Sequence, residues 1–248
     1  MDFGISGKTA AVAGGSAGLG LASAAALIEA GVRVAICGRN EARLHAAASA
    51  LGPQAVPIVA DVSTELGATD FVHQAAELLG PIEILVANAG GPPPGNYAST
   101  PLEAYRPALE LNLLSTVAMC HAATPAMIEA GWGRIVAITS MSVRMPIPQL
   151  ILSNTARAGL TGFLKTLATE IAHHGITVNS VQPGLHETDR VAQLHPGDTT
   201  QLTAHIPTGV LGQPSDFGSV VAFLCSQQAK FITGAALPID GGQCSGLQ

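Results

Sequence analysis

The stretch LSNTAR, residues 152–157, sets a serine hydroxyl, Ser153, four residues before a guanidinium, Arg157. In a helix that spacing puts both side chains on one face. The arginine keeps its charge at any physiological pH, and a serine hydroxyl is no acid near neutrality. The pair offers fixed positive charge and a hydrogen-bonding group, but no ready proton. Thirteen residues upstream, Ser140 closes the apolar run IVAITS, and Asn112 lies in LELNLLST. A second group of residues suits an anion. In VAGGSAGLG, Gly14, Gly18 and Gly20 are spaced G-x-x-x-G-x-G, with Ser16 and Leu19 between them. Glycines let a backbone turn tightly and approach a pyrophosphate, and a following helix presents unpaired N–H groups and its positive dipole end. The spacing differs from the plain dinucleotide fingerprint, but the strand–turn–helix setting is the one that reading requires.

These residues need a scaffold, and the chain supplies an alternating one. Strand-length apolar runs at 9–14, 32–37, 55–62, 82–90, 133–140, 175–184 and 236–240 alternate with helical patterns at 19–31, 40–52, 68–80, 102–130, 150–174 and 214–229. Such alternation predicts an α/β fold: a single-domain, Rossmann-type, doubly wound parallel sheet with helices on both faces. Ligands of such sheets sit outside the carboxyl ends of the strands. Two loops begin at such ends, the proline-rich GGPPPGNYAST (90–100) and the long polar segment 185–209. Loops of this kind are often lids or binding loops. Segment 141–152, loop 185–210 and the residues after Gly90 are expected to form a substrate pocket with largely apolar walls. Arg144 and Arg190 are candidates to meet an acidic group there.

The second strand ends at Gly38-Arg39. An acid at this place holds the ribose hydroxyls of NAD, whereas an arginine can pair with the 2′-phosphate of NADP. Arg39 therefore predicts NADP(H) over NAD(H); its other possible role is that of a solvated loop residue. Asp61, closing the third strand before Val62, can accept from an adenine amino group. Asn88, Ala89 and Gly90 close the fourth strand, where a dinucleotide would cross.

The chain of 248 residues is 48% hydrophobic and only 11% charged, with a net charge of −6 and no basic stripe. Nucleic acid is not an expected partner. No apolar run approaches a membrane span, and the first residues lack a signal-peptide pattern, so a cytoplasmic protein without membrane contact is expected. Cys37, Cys120, Cys225 and Cys244 are far apart, which predicts reduced thiols and no metal site.

Together these residues resemble the short-chain dehydrogenase/reductase family over nearly the whole chain, in a divergent branch similar to 3-oxoacyl-(acyl-carrier-protein) reductases. Ala13 to Gly20 is similar to the family's T-G-x-x-x-G-x-G, and Ala87 to Gly90 to its N-N-A-G. Asp61-Val62, Asn112, Ser140, Pro183-Gly184 and Thr188 match its adenine, catalytic and nicotinamide-end positions. The family's Tyr-x-x-x-Lys falls on Ser153 and Arg157, and the only tyrosines, Tyr97 and Tyr105, lie elsewhere. The resemblance implies a reductase or dehydrogenase for a small carbonyl or alcohol substrate. Ser140 would hold the carbonyl, Arg157 the nicotinamide ribose, and an altered site would supply the proton. His186 is either a replacement acid or an ordinary loop histidine. Two alternatives remain: a weakly active or inactive nucleotide-binding homologue serving as sensor or assembly partner, and an enzyme whose chemistry needs no tyrosine. The long helices 102–130 and 150–174 are expected to pair between subunits as a homotetramer or homodimer.

Overall fold

The structure, a computed structural model, describes residues 2–194 and 200–246. The chain alternates β1 (Thr9–Val12), α1 (Gly18–Glu29), β2 (Arg33–Gly38), α2 (Glu41–Leu51), β3 (Ala55–Val59), α3 (Glu65–Leu79) and β4 (Ile84–Ala87). The second half adds α4 (Tyr105–Leu109), α5 (Ser115–Ala130), β5 (Gly133–Ile138), α6 (Ile151–Ile171) and β6 (Ile176–Pro183). It closes with α7 (Asp189–Leu194), α8 (Thr200–Thr203), α9 (Pro214–Leu224) and β7 (Ala236–Ile239). The seven strands form one parallel sheet in the order β3-β2-β1-β4-β5-β6-β7. This is the doubly wound Rossmann-type fold that the alternation predicts. The order reverses between β1 and β4, so the crevice for a ligand opens at their carboxyl ends.

Side chains alternate across each strand, and both faces are covered. In β4, Leu85 and Ala87 face a core shared with Phe71 of α3, Met119 of α5 and Leu164 of α6. Ile84 and Val86 face a second core with Leu27 of α1, Leu44 of α2 and Phe217 of α9. Full burial of a side chain such as Phe71 or Phe217 is worth about 1.5–3 kcal/mol. Two cores of this size hold the strand ends, and hence the site, in place.

The expected strands 9–14, 55–62, 82–90 and 133–140 outrun the observed ladder by two or three residues. The overrun carries Gly14, Asp61, Asn88 to Gly90 and Ser140. These are the residues that peel away from the sheet toward the ligand crevice. The expected continuous helix 102–130 is also corrected. It starts as a 3₁₀ turn (Leu102–Ala104), continues as α4, widens into a π turn (Glu110–Leu114) and resumes as α5. The π turn carries Asn112, whose amide nitrogen donates to the Gly90 carbonyl at 2.8 Å. A functional contact of this kind is a common setting for a π bulge.

By length and composition, 102–130 is apolar enough to cross a membrane, contrary to the reading of the sequence. In the fold its α5 part packs one face on α3, β4 and β5, and its first part packs on α6. Cys37, Cys120 and Cys225 are buried, and burial pushes each thiol up to about 12. No disulfide forms among the described residues. The sequence did not single out Arg134, which is buried at the opposite end of the sheet. It donates to the carbonyls of Gly133, Gly175 and Ser226 and lies 4.5 Å from the Trp132 ring centroid.

Candidate active site

The first wall of the site is the turn between β1 and α1. Gly14 and Gly18 hold φ of +61° and +55°, the left-handed region that side chains rarely adopt. A Cβ on Gly20 would run into the Gly14 carbonyl oxygen and sit 3.0 Å from Asn88 Nδ2. Asn88 Nδ2 donates to the Ala13 carbonyl at 3.2 Å, so β4 braces the turn. Ala17 caps α1 with no side-chain bond, and its first turn holds no acid. The helix therefore meets the crevice with free N–H groups and an uncancelled positive end. Thr188 reaches the turn from the other side: its Cγ2 lies 3.6 Å from where a Gly18 Cβ would stand. A cradle of this shape, with side chains excluded by its own backbone, fits a dinucleotide pyrophosphate.

The second wall is the end of β2 and β3. Ser16 is buried, and its hydroxyl fills the space beside Gly38: a Cβ there would stand 2.8 Å from Ser16 Oγ. Arg39 is exposed, and no hydrogen bond or ion pair engages its guanidinium among the described residues. Asp61 is exposed and accepts from the Ser63 N–H at 3.0 Å, while Val62 is buried beneath it. Asn88 leads into Ala89 and Gly90, and a Cβ at Gly90 would meet only open space.

The third wall carries the polar groups of the opening question. Helix α6 buries Leu152, Ser153, Ala156, Arg157, Leu160 and Leu164, a stripe at helical spacing. Ser153 and Arg157 thus share the inner face, each 8% exposed. Arg157 donates from one terminal nitrogen to the carbonyls of Ile138 and Thr139, at 2.9 and 3.1 Å. Among the described residues it has no carboxylate partner. Burial pulls its pKa down to about 10, so it is still charged at neutral pH. Its two acceptors immediately precede Ser140, which makes α6 and the end of β5 one unit.

Ser140 Oγ accepts from the Ser142 N–H at 3.1 Å, starting the 3₁₀ turn Met141–Val143. Ser153 Oγ has no hydrogen-bond partner among the described residues. Asn112 Oδ1, Ser142 Oγ and Asn154 Oδ1 are buried without a partner. Buried polar atoms are nearly always paired, so bare acceptors and hydroxyls near one crevice point to a ligand or ordered water. From the sequence Ser142 is only a weaker candidate for a replacement acid, and Asn154 is not singled out; only packing reveals both as buried unpaired groups.

Three candidates from the sequence fare differently. His186 is buried with its ring edge-on to Phe217, centroids 5.2 Å apart, and flush against Gly212. Its Nδ1 lies 3.3 Å from the Gly184 carbonyl, and burial lowers its pKa from the ordinary value, favouring the neutral ring. The ring thus packs between the β6 turn and α9. Arg144 is spent on Gln182 Oε1 at 2.6 Å and on the Ala236 carbonyl, which takes it away from an acidic substrate. The side chain of Arg190 lies outside the described residues. Pro183-Gly184 ends β6, with the Gly184 N–H on the Ile239 carbonyl at 2.9 Å.

Next to α6 lies a cavity of about 330 Å³. Its walls come from segment 92–101, from α4 and the turns flanking it, and from Leu152. Of the three segments expected to form a pocket, the one after Gly90 lines this cavity and 141–152 reaches it only through Leu152. Among the described residues, none of 185–210 lines it. Two backbone bonds zip its mouth: Gly95 N–H to the Gln149 carbonyl at 2.7 Å, and Ile151 N–H to the Gly95 carbonyl at 3.2 Å. Gln149 holds φ of +66°, the one left-handed non-glycine among the described residues. That conformation costs about 1–2 kcal/mol and is held by the pairing on both sides.

Known proteins share this fold and about a third of the sequence. The family described as Enoyl-(Acyl carrier protein) reductase matches residues 13–243. The 3-oxoacyl-(acyl-carrier-protein) reductase of Aquifex aeolicus is 33% identical over 246 residues, covering 98% of this chain and 99% of that one. An L-rhamnose 1-dehydrogenase (NAD(P)(+)) of a Sphingomonas species is also 33% identical, with 98% and 99% covered. The crystal structure of L-sorbose reductase from Gluconobacter frateurii, complexed with NADPH and L-sorbose, superposes over the full length of both chains. Its TM-score is 0.93 at 30% sequence identity.

Proposed function

The chain belongs to the short-chain dehydrogenase/reductase family, and from there we propose an NADP(H)-dependent oxidoreductase for a carbonyl or alcohol substrate, with an altered proton-transfer site. The supporting observation is the meeting, at the carboxyl ends of β1, β4 and β5, of a glycine cradle, an uncapped helix and the unpaired groups around Ser140. Gly14, Ser16, Gly18, Leu19 and Gly20 would hold the pyrophosphate, and Asp61 and Val62 the adenine. Asn88, Ala89, Gly90, Pro183, Gly184 and Thr188 would hold the nicotinamide half.

When bound, a reduced nicotinamide supplies a hydride to the carbonyl carbon. Ser140 donates its hydroxyl to the carbonyl oxygen and orients it. Arg157 holds the strand end bearing Ser140, places a positive charge beside the site, and offers its remaining N–H groups to the nicotinamide ribose. Ser153 is too weak an acid to give up a proton readily. It holds a water instead; that water gives its proton to the oxygen as the alcohol forms, and the hydroxide left behind takes a proton from bulk solvent. Asn112 Oδ1 accepts from the same solvent. A well-placed general acid contributes about 10²–10⁴-fold, so a water-fed site is expected to run slowly rather than to stop. His186 has no part in this reading, because its ring is engaged with Phe217.

NADP(H) is preferred because Ser16 occupies the place beside Gly38 where an acid would meet the ribose, and Arg39 stands uncommitted next to it. Titration with NADPH and NADH, followed by cofactor fluorescence, tests the reading. NADPH is expected to bind more tightly, and Arg39→Asp to weaken it about tenfold while helping NADH. If neither cofactor binds, the enzyme reading falls; if the preference does not move, Arg39 is not the phosphate ligand.

We also propose a homodimer or homotetramer. Phe231 is fully exposed and Leu237 of the edge strand β7 partly so, as are Leu114 and Ile128 on the α5 side. Large apolar side chains exposed at the edge strand and along α5 favour symmetric burial. Light scattering at micromolar concentration is expected to give a multiple of the 25.0 kDa chain. A monomer mass would rule the assembly out.

A further inference from the structure

We infer that the site takes an uncharged, hydroxyl-poor alicyclic or aromatic ketone, or its alcohol, with the rings seated in the proline-walled cavity beside α6. The inference rests on the oxidoreductase reading and narrows its substrate class.

The first argument is the chemistry of the wall. Pro92, Pro93, Pro94, Pro101 and Pro107 line it, and none has a backbone N–H. The Ala104 N–H is already spent on the Pro101 carbonyl at 3.1 Å, and the Ser99 N–H on Asn96 Oδ1 at 3.0 Å. No ionisable side chain reaches the lining. Two hydroxyls do, and Ser99 Oγ is tied to the backbone of Asn96, accepting from its N–H at 3.0 Å. Thr100 alone carries an uncommitted hydroxyl. The lining's other free polar groups are acceptor carbonyls, so a polyhydroxy substrate would trade its bonds to water for fewer partners, and each buried unpaired hydroxyl is costly. Rings lose nothing there and gain contact with the pyrrolidine faces and with Ala108.

The second argument is position. Leu111 and Leu152 line the cavity, Leu152 being buried, and each is the sequence neighbour of a site residue, Asn112 and Ser153. A carbonyl projecting from rings in the cavity would meet the polar groups of α6 and the π turn. The third argument is rigidity. Five fixed proline φ angles and the Gly95–Gln149 zip leave the wall preformed, so a rigid ring system pays little to enter. A volume of about 330 Å³ lies at the small end of small-molecule sites, which suits one or two rings rather than a long acyl chain.

The test uses 1-tetralone, a bicyclic aromatic ketone, and L-sorbose, a polyhydroxy ketone. Binding of each is followed by saturation-transfer NMR on the full chain with and without NADPH, and NADPH binding is measured separately. 1-Tetralone is expected to bind and L-sorbose not to. Ala104→Trp, which fills the cavity from its half-buried rim, is expected to weaken 1-tetralone by at least about tenfold with the NADPH affinity unchanged. Thr100→Val, which keeps the shape and removes the one free hydroxyl, is expected to leave 1-tetralone binding intact. Equal binding of both ketones, an indifferent Ala104→Trp, or about a tenfold loss in Thr100→Val would each overturn the inference. A chain that takes 1-tetralone but neither nucleotide keeps the cavity assignment and loses the oxidoreductase reading, so the two failures are told apart.

Discussion

Gly20→Val is expected to abolish NADPH binding over the accessible range, a loss of at least about a hundredfold. The added Cβ has nowhere to go: it meets the Gly14 carbonyl oxygen and Asn88 Nδ2 at 3.0 Å. The first obstacle is backbone, which cannot rotate aside, and it belongs to the turn that the phosphates must approach. Relief would require opening the β1–α1 turn, and with it the brace from Asn88 to the Ala13 carbonyl. Gly18→Ala is the natural control. There a Cβ meets only the Thr188 methyl at 3.6 Å, so the change costs chiefly the left-handed backbone penalty, about 1–2 kcal/mol. Cofactor titration and thermal melts on both variants check this. Equal NADPH affinity in Gly20→Val and the parent chain would show that the cofactor does not lie on this turn.

Arg157→Met is expected to cost modest stability and most of the activity. Burial lowers the guanidinium from its ordinary value to about 10, so keeping it charged inside the fold costs about 3 kcal/mol. The folded chain sheds this proton more readily than the unfolded one. The penalty is therefore full below about pH 10 and is relieved as pH rises above it. Methionine removes the penalty and forfeits two hydrogen bonds from a charged donor to the Ile138 and Thr139 carbonyls, each worth about 1.5–3 kcal/mol. The balance is a loss of about 0–3 kcal/mol, so Tm should fall by no more than about 10 °C. Turnover should fall by about a hundredfold, as when one fixed electrostatic contact is removed from an active site. A collapse in Tm with activity lost in proportion would make Arg157 a strut between α6 and β5 and nothing more.

Much of the fold was legible because strand and helix runs carry different hydrophobic periods. The seven strand positions follow from short buried runs such as ILVA of β4 and GRIVAI of β5. The glycine turn was equally plain, since few other residues tolerate the φ values of Gly14 and Gly18. Periodicity could not reveal the π turn at Glu110–Leu114, because the apolar pattern runs through it unbroken while one polar contact, Asn112 to Gly90, reshapes the backbone. Nor could it locate His186 or Arg144. Both follow strands that point at the site, yet the first is drawn to Phe217 and the second to Gln182.

The sequence by itself determined the class of fold, the place of the glycine turn, and the presence of Ser153 and Arg157 on one helical face. Those features depend on local period, local backbone freedom and spacing along one helix. Only the tertiary structure decided which polar atoms were left unpaired, that Arg157 holds the strand bearing Ser140, and that five prolines distant from LSNTAR in the chain wall a cavity against it. Those depend on which surfaces meet once the sheet is wound, and hydrogen-bond partners drawn from distant segments leave no periodic mark in the chain.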